Sequence, residues 1–485
     1  MTSLKAALST PMKIRLREEA LFGRLPLLAD ERILSTGSTL AAGLNAAVAA
    51  WCFLIGGYTA NVTGAVPGVV ALLCGCTVGV VLSAALSMAC NRYGLDPTDA
   101  SKPCFGQRGA KLVLLVYVLN QVGWSGLTLV MFGRGLRSVL GAIGPGQGES
   151  MVSLMVLMGL TSVYVFVARS ARGVTVLNQV AMPGLMVVAG IVVYVVFRDA
   201  TWTDVVRIPP LIGGPDARVN AVTAFEYALG AGLSWAPALG FLTRHTDSQR
   251  NSVYPQALTM GLGVGLMASL GLLAALLFRN YDPTLWLVFL GGRAFGALTL
   301  LLVASTNLAA TASTMFSAGL ALKHLRGLRR LSWPVLVALP FVPLVGFVGA
   351  PSYLYEHGGT FLATNASLLG PITGVFAVDY LWLRRQRVNL SQVFEDDRGG
   401  HYWFLRGFNL ASLGAVAVGQ LVALWLFNPL THAVHSPVRL MGSTGPGILV
   451  AMAFYALLAR FWLIPAGLGG YNANATPVPL KRANL

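Results

Sequence analysis

The feature that most constrains this chain is the recurrence of long apolar runs. A membrane span needs about 20 mostly apolar residues. Twelve stretches come to that length, at 38–62, 64–91, 110–133, 151–168, 173–197, 221–242, 254–278, 295–322, 332–349, 361–383, 404–427 and 443–466. Most are near-continuous, unlike the alternating strands of about 10 residues that build membrane barrels. Hydrophobic residues make up 55% of the chain and charged residues 11%, where a soluble domain carries about 25% charge. So few charges cannot cover a soluble globule of this size. A soluble enzyme, a disordered chain and a disulfide scaffold are excluded, and an all-α membrane protein is expected. The charged head, residues 1–37, is wrong for a cleaved signal peptide.

The charge distribution sets the expected topology. Of the 34 Lys and Arg residues, 26 fall on one face of a twelve-span arrangement and 8 on the other. That bias fits both termini being cytoplasmic. The net charge of +16 thus reads as topology and contact with the lipid bilayer, not as nucleic-acid binding. Cys52, Cys74, Cys76, Cys90 and Cys104 read as small apolar fillers, since Cys74-Gly-Cys76 lacks the second ligand pair of a zinc site.

Two stretches carry glycines where an apolar run needs none. The first has Gly56-Gly57 and the sixth has Gly230-Ala231-Gly232-Leu233-Ser234-Trp235-Ala236-Pro237. Glycine-interrupted segments at matching places in two halves point to a transporter with inverted repeats. The same glycines also serve close helix packing.

Polar residues inside spans are costly and mark candidate sites. Gln121 and Trp124 share a helical face. An indole offers a stacking plane and a carboxamide offers paired donor and acceptor groups, a combination suited to a planar heterocycle. Helix packing with one hydrogen bond is the other reading. Ser305-Thr306-Asn307, Thr311 and Ser313-Thr314 supply hydroxyls suited to sodium, or simply bond back to their own backbone. Glu226 is the one carboxylate well inside a span; it is either a proton carrier or a partner near the outer interface. Asp379 reads as a cytoplasmic lock with arginine. Asn45 bridges helices or faces the site.

The ordered motifs resemble nucleobase:cation symporter family 1, the purine and cytosine permeases with their allantoin, hydantoin and vitamin relatives. Phe105-Gly106-Gln107-Arg108-Gly109, Gln121-Val122-Gly123-Trp124, Ser305-Thr306-Asn307, Gly370-Pro371-Ile372-Thr373-Gly374, Asp379-Tyr380, Arg384-Arg385, Tyr402 and Gly407-Phe408-Asn409 carry the likeness across about 38–425. The resemblance implies a LeuT-like five-plus-five inverted repeat of 12 transmembrane helices, with broken helices 1 and 6 and two extra C-terminal helices. Its parts would be a cytoplasmic segment 1–37, repeats 38–197 and 198–383, helices 384–466 and a tail 467–485.

By the same resemblance, Trp124 stacks on the substrate ring and Gln121 bonds its edge. Gly232, Ser234 and Trp235 come from the broken helix, and Thr311 stands where relatives carry Asn. Sodium is held by Ser305 and Thr306 with carbonyls near Ala50 and Phe53. The chain departs from the pattern at Phe241 and Gly232, where relatives carry Asp and Phe. The expected function is sodium-coupled import of a small planar heterocycle by alternating access, by a monomer in the bacterial inner membrane. A proton-coupled transporter using Glu226 is the second reading. A membrane-embedded enzyme is the remote third, because the six histidines fall in loops or at span ends and form no ligand cluster.

Overall fold

The computed structural model describes residues 25–143, 148–169, 171–198, 201–289, 293–325, 327–328, 330–430, 434–435, 437 and 441–471. Residues 1–24, the tail from 472 and the Asn45 side chain lie outside the description. Among the described residues the ordered elements are helical, and strand-like pairing is limited to isolated bridges such as Leu34 with Thr246.

The principal helices are α1 (Thr36–Ala47), α2 (Ala50–Val62), α3 (Ala65–Leu82), α4 (Gly109–Ile143), α5 (Glu149–Arg169), α6 (Ala171–Arg198), α7 (Ala217–Leu233), α8 (Ala236–Thr243), α9 (Val264–Leu277), α10 (Arg293–Leu322), α11 (Gly358–Ala377), α12 (Leu410–Leu426) and α13 (Thr444–Leu458). Among the described residues, seven helical segments are long and apolar enough to cross a membrane, and Met186–Arg198, Trp333–Gly346 and Leu410–Leu426 are shorter apolar helices. The ninth stretch is short-winded for a visible reason. Pro334, Pro340 and Pro343 divide it into Trp333–Ala338, Leu339–Phe341 and Val342–Phe347, since proline cannot donate to the turn before it. The eleventh helix starts at Leu410, not at 404, because Asn409 caps it by accepting from the Ala411 and Ser412 amides.

The first and sixth stretches are each broken in two. Between α1 and α2 the chain leaves the helix at Val48 (φ −84°, ψ 80°) and Ala49 (φ −137°, ψ 148°). Between α7 and α8, Ser234 and Trp235 stay right-handed but form a tighter turn. Pro237 follows, with no N–H to offer the Leu233 carbonyl. The first break is therefore eight residues before the Gly56-Gly57 pair expected to make it. Those glycines lie inside α2. A Cβ on Gly56 would stand 2.1 Å from the Ala268 carbonyl oxygen, and one on Gly57 would stand 2.0 Å from that of Tyr281. They exist to let α2 press on α9 and the loop after it.

Packing follows a cross pattern. α2 lies on α9, α3 on α7 and α9, α4 on α10, α7 on α11, and α13 on α11 and α12.

One end of the bundle is tied by the motif residues. Gly106 (φ 87°) and Gly407 (φ 92°) occupy the left-handed region and meet closely, a Cβ on Gly106 falling 2.7 Å from the Gly407 carbonyl oxygen. Asn409 Nδ2 donates to the Cys104 carbonyl at 2.7 Å. Arg384 donates from Nε to Asp379 Oδ2 at 2.6 Å and from its two terminal nitrogens to the Gly469 and Pro103 carbonyls, both at 2.7 Å. The Tyr455 and Tyr471 hydroxyls donate to Asp379 Oδ1 at 2.7 and 2.8 Å. Both ions are buried, and all three Arg384 nitrogens and both Asp379 oxygens have a partner, which helps a buried pair to be tolerated. The lock expected at Asp379 is present, with Arg384 as its partner. Arg384→Met, which strands the Asp379 charge, is expected to lower unfolding stability by about 3–5 kcal/mol. Thermal unfolding in detergent reads it, and an unshifted transition would remove the pair from that structural role.

Candidate functional site

The two breaks meet around a cluster of rings. Trp51, in the first turn of α2, has its ring centroid 5.3 Å from Trp124 of α4 and 5.6 Å from Trp235, which sits in the second break. Phe361 of α11 closes the far side, 5.7 Å from Trp124 and edge-on to it. Such pairs prefer tilted and edge contacts, each worth about 0.5–1.5 kcal/mol beyond area burial. Trp124 and Trp235 are residues the sequence led us to expect at a site. Trp51 and Phe361 are not, although Trp51 follows the break by only two residues.

Polar groups border the rings along α4 and α10. The Thr128 and Thr311 hydroxyls share a hydrogen bond at 2.8 Å, and Ser125 and Thr314 share one at 2.6 Å. Thr128 lies one turn beyond Trp124, and Asn307 one turn before Thr311, so these groups share a seam. Four atoms on this stretch are buried without a hydrogen-bond partner: Gln121 Oε1, Trp124 Nε1, Asn307 Nδ2 and Asn307 Oδ1. An unmatched buried polar atom costs about 1–3 kcal/mol. Four of them stand beside the half-buried rings of Trp124 and Trp235 and make a candidate surface with stacking planes and an unmatched amide edge.

The second break is held from both sides. Asn120 Nδ2 donates to the Ser234 carbonyl at 3.1 Å. Asn365 Nδ2 donates to Asn120 Oδ1 at 2.9 Å and to Ser234 Oγ at 3.2 Å. Ser234, expected in the site, is thus spent on the break itself. Gly232 faces away from the rings, and a Cβ there would sit 2.5 Å from the Cys76 carbonyl oxygen. It packs α7 on α3.

The residues expected to hold sodium are placed as follows. Ser305 Oγ donates to the Leu302 carbonyl at 2.7 Å and Thr306 Oγ1 to the Val303 carbonyl at 2.8 Å, which leaves their oxygen lone pairs outward. Ala50 opens α2 directly after the break. Phe53 is one turn on, with its backbone pressed on Gly271 of α9.

Glu226, expected to carry a proton or to meet an arginine, meets the start of a helix among the described residues. It is 2% exposed and accepts the Ser443 and Thr444 amides at 2.7 and 2.9 Å, and also the Thr444 hydroxyl. Those amides open α13, so the carboxylate caps a helix N-terminus, where negative charge is favoured.

The comparisons with known proteins bear on the family and the fold. A family model described as permease for cytosine/purines, uracil, thiamine, allantoin matches residues 42–445. The chain belongs to this family. It is a transporter and not an enzyme. It is 23% identical over 412 residues to a purine-uracil permease of Arabidopsis thaliana, covering 78% of this chain and 66% of that one. It is 23% identical over 414 residues to an allantoin permease of Bacillus subtilis, covering 79% and 82%. A hydantoin permease of Microbacterium maritypicum is 23% identical over 395 residues, covering 73% and 74%. Among solved structures, Mhp1, a nucleobase-cation-symport-1 family transporter, shares the fold. Its inward-facing form gives a TM-score of 0.77 at 17% identity, covering 93% of this chain and 97% of that one. Its closed form with bromovinylhydantoin bound gives 0.73 at 20% identity, covering 90% and 95%.

Glu226→Gln keeps acceptor oxygen at the α13 cap but removes the charge. It is expected to cost about 1.5–3 kcal/mol of stability, the scale of a hydrogen bond to a charged group, and to leave the pH profile of uptake unchanged in shape. A profile flattened by the substitution would return Glu226 to proton carriage.

Proposed function

We propose that this permease imports a small planar heterocycle together with sodium, by alternating access across the bacterial inner membrane. The observation that carries the reading is the ring cluster of Trp51, Trp124 and Trp235 at the meeting of the two breaks, edged by the unmatched Gln121 and Asn307 amide atoms. A flat ring stacks on an indole while its amide edge takes up the unmatched donors and acceptors. The family's other members transport rings of this kind, as the names of the purine-uracil, allantoin and hydantoin permeases state. Trp124 is the stacking plane, Gln121 and Asn307 bond the edge, and Trp235 and Thr311 bound the space.

For the cation, Ser305 and Thr306 on α10 offer outward lone pairs, and the break between α1 and α2 offers backbone carbonyls, Ala50 at its end. Hydroxyl and carbonyl oxygens are the hard ligands that a small alkali cation takes. Phe53, turned to Gly271, is left out of the set. Coupling requires each ligand to raise the other's affinity.

The packing supports twelve spans in two inverted repeats, 38–197 and 198–383, followed by two helices over 384–466. The contact of the first span with the seventh is mirrored by that of the sixth with the second, and the third and eighth pack on one another. With residues 1–37 and 467–485 inside, Arg134, Asp282 and Glu356 gather at the outer end, while Asp96, Arg244 and His324 gather at the inner end. The chain is expected to act as a monomer.

The deciding experiment is thermal stabilisation of detergent-purified protein by nucleobases, hydantoins, allantoin and ring vitamins, each with and without sodium. A ligand that binds the folded state raises the melting temperature by mass action. A shift enlarged by sodium is expected; a shift indifferent to sodium would overturn the coupling ion, and no shift with any ring would overturn the substrate class. Trp124→Ala is expected to weaken binding of the stabilising ring by about 1–3 kcal/mol, the scale of base–aromatic stacking.

A further inference from the structure

The same three residues open two connectors. Asp96-Pro97-Thr98 follows the second apolar stretch and Asp282-Pro283-Thr284 follows the seventh, five stretches later. In each case the proline starts a short helix, Pro97–Phe105 or Pro283–Trp286, and the aspartate caps it. Asp96 Oδ1 accepts the Thr98 amide at 2.7 Å. Asp282 Oδ1 accepts the Thr284 amide at 2.9 Å and its hydroxyl at 2.7 Å.

The second carboxylate oxygen reaches across to another helix in both. Asp282 Oδ2 pairs with Arg134 Nη1 at 2.9 Å, toward the far end of α4. Asp96 Oδ2 lies 3.5 Å from His324 Nε2, just past the end of α10. These are the third and eighth stretches, again five apart. Sequence, cap and partner helix therefore all repeat, and the two pairs lie at opposite ends of the bundle.

We propose that Asp282–Arg134 and Asp96–His324 are symmetry-related latches, one closing the outer face and the other the inner face of the transport path, and that the inner one is the weaker. This rests on the alternating-access reading above. The outer latch has a permanent charge. Arg134 also donates to Ser352 at 2.6 Å and lies 4.6 Å over the Tyr355 ring, while the Tyr355 hydroxyl donates to Asp282 Oδ1 at 2.9 Å. The inner latch has only long contacts, His324 Nε2 to Asp96 Oδ2 at 3.5 Å and His324 Nδ1 to Asp99 Oδ1 at 3.9 Å, and its cation is charged only when the imidazole is protonated. Asp99, beside it, is already met by Lys102 Nζ at 2.6 Å. Among the described residues, neither Asp96 Oδ2 nor His324 Nε2 has a hydrogen-bond partner. The inner face is thus the one less firmly held.

Cys90 is a natural reporter. It is fully buried at the inner end, where a Cβ on Gly240 would stand 3.1 Å from its sulfur. In a variant with Cys52, Cys74, Cys76 and Cys104 replaced by Ala, the rate of Cys90 alkylation by a maleimide in detergent, without substrate or sodium, reads inner opening. His324→Ala is expected to raise that rate at least threefold. Asp282→Asn, which loosens the outer latch, is expected to lower it. His324→Arg, which copies the outer latch, is expected to lower it too. Rates unmoved by both His324 substitutions, or raised by Asp282→Asn as by His324→Ala, would overturn the proposal. If His324→Ala does not fold, the His324→Arg and Asp282→Asn pair decides alone.

A pH series gives an independent readout. His324, Asp99, Arg244 and Cys90 face Asp96, and burial pushes its carboxyl up to about 6. Burial also opposes ionisation of Asp99, but Lys102 and His324 outweigh it and hold that carboxyl below its ordinary value. Opening rehydrates Asp96 and returns it toward the ordinary range, so the closed state holds the extra proton. Closure is then favoured as pH falls through about 6 and loses that support above it. Alkylation normalised to the unfolded chain should rise between pH 5 and 7 (about one unit either side of that value) and be flat in Asp96→Asn. A slope kept in Asp96→Asn would overturn the assignment to this latch. Because neither readout uses a transported ring or cation, both stand apart from failure of the substrate assignment.

Discussion

Within a bilayer no water is at hand to satisfy backbone amides and carbonyls, so every interruption of a helix must be met by the protein itself. The rest of this structure depends on how two such interruptions are met. At Ser234 the freed carbonyl is taken by Asn120, and Asn365 ties both Asn120 and Ser234 together. The bend in the sixth span is thereby fixed to the third and tenth. At Val48 and Ala49 the repair is lighter. The Cys52 thiol donates to the Ala47 carbonyl at 3.2 Å, and Ala47 also accepts the Ala49 amide at 3.1 Å. The firmer break carries Trp235 and the lighter one leads into Trp51. The ring cluster joins a bend tied to two other helices by side-chain amides to a helix start packed on α9.

Close approach of backbones is the second consequence of the solvent. Lipid tails are as apolar as leucine, so helices associate by contact and not by hiding from water. Gly230 lets α7 meet the Leu362 carbonyl of α11, where a Cβ would fall 1.9 Å from it, and Gly56 does the same for α2 against α9. This is why glycine misleads as a marker of unwinding here. In the first span the glycines pack and the break uses Val48-Ala49. In the sixth they pack immediately before the break, and Pro237 after it does the breaking.

What was legible in the sequence divides along this line. Helix positions were readable because apolar length is a local property: each of the twelve stretches overlaps helix, and among the described residues seven segments are long and apolar enough to cross a membrane. The Asp379 lock was readable because Arg384 is five residues away. The role of Glu226 was not, since its partners, Ser443 and Thr444, lie more than two hundred residues on. Trp51 carried no polar mark to separate it from its apolar neighbours. Asp96-Pro97-Thr98 and Asp282-Pro283-Thr284 share only three residues, too short a likeness to stand out in the sequence. Only the fold shows that their partners, His324 and Arg134, lie at helices five stretches apart.

The polar interactions also sort by depth in a way that suits motion. Among the described residues, the buried ion pairs lie toward the ends of the bundle, where Arg134 meets Asp282, Arg384 meets Asp379 and His324 meets Asp96. Between them stand neutral amides, hydroxyl pairs and rings. Parting an ion pair in a dry core strands two charges and costs several kcal/mol. Parting one at a rim lets water take its place. A hydroxyl pair such as Thr128 with Thr311 loses only about 0.5–1.5 kcal/mol net when separated, and tilted rings can slide over one another at still smaller cost. In the alternating-access reading proposed above, a body carrying α4 and α10 would rock against one carrying α2 and α7, with its costly bonds broken only where solvent replaces them. Of the rim pairs, the Asp379–Arg384 lock joins the tenth span to its own continuation and need not break. That leaves the two aspartate connectors as the bonds whose making and breaking such a motion has to include.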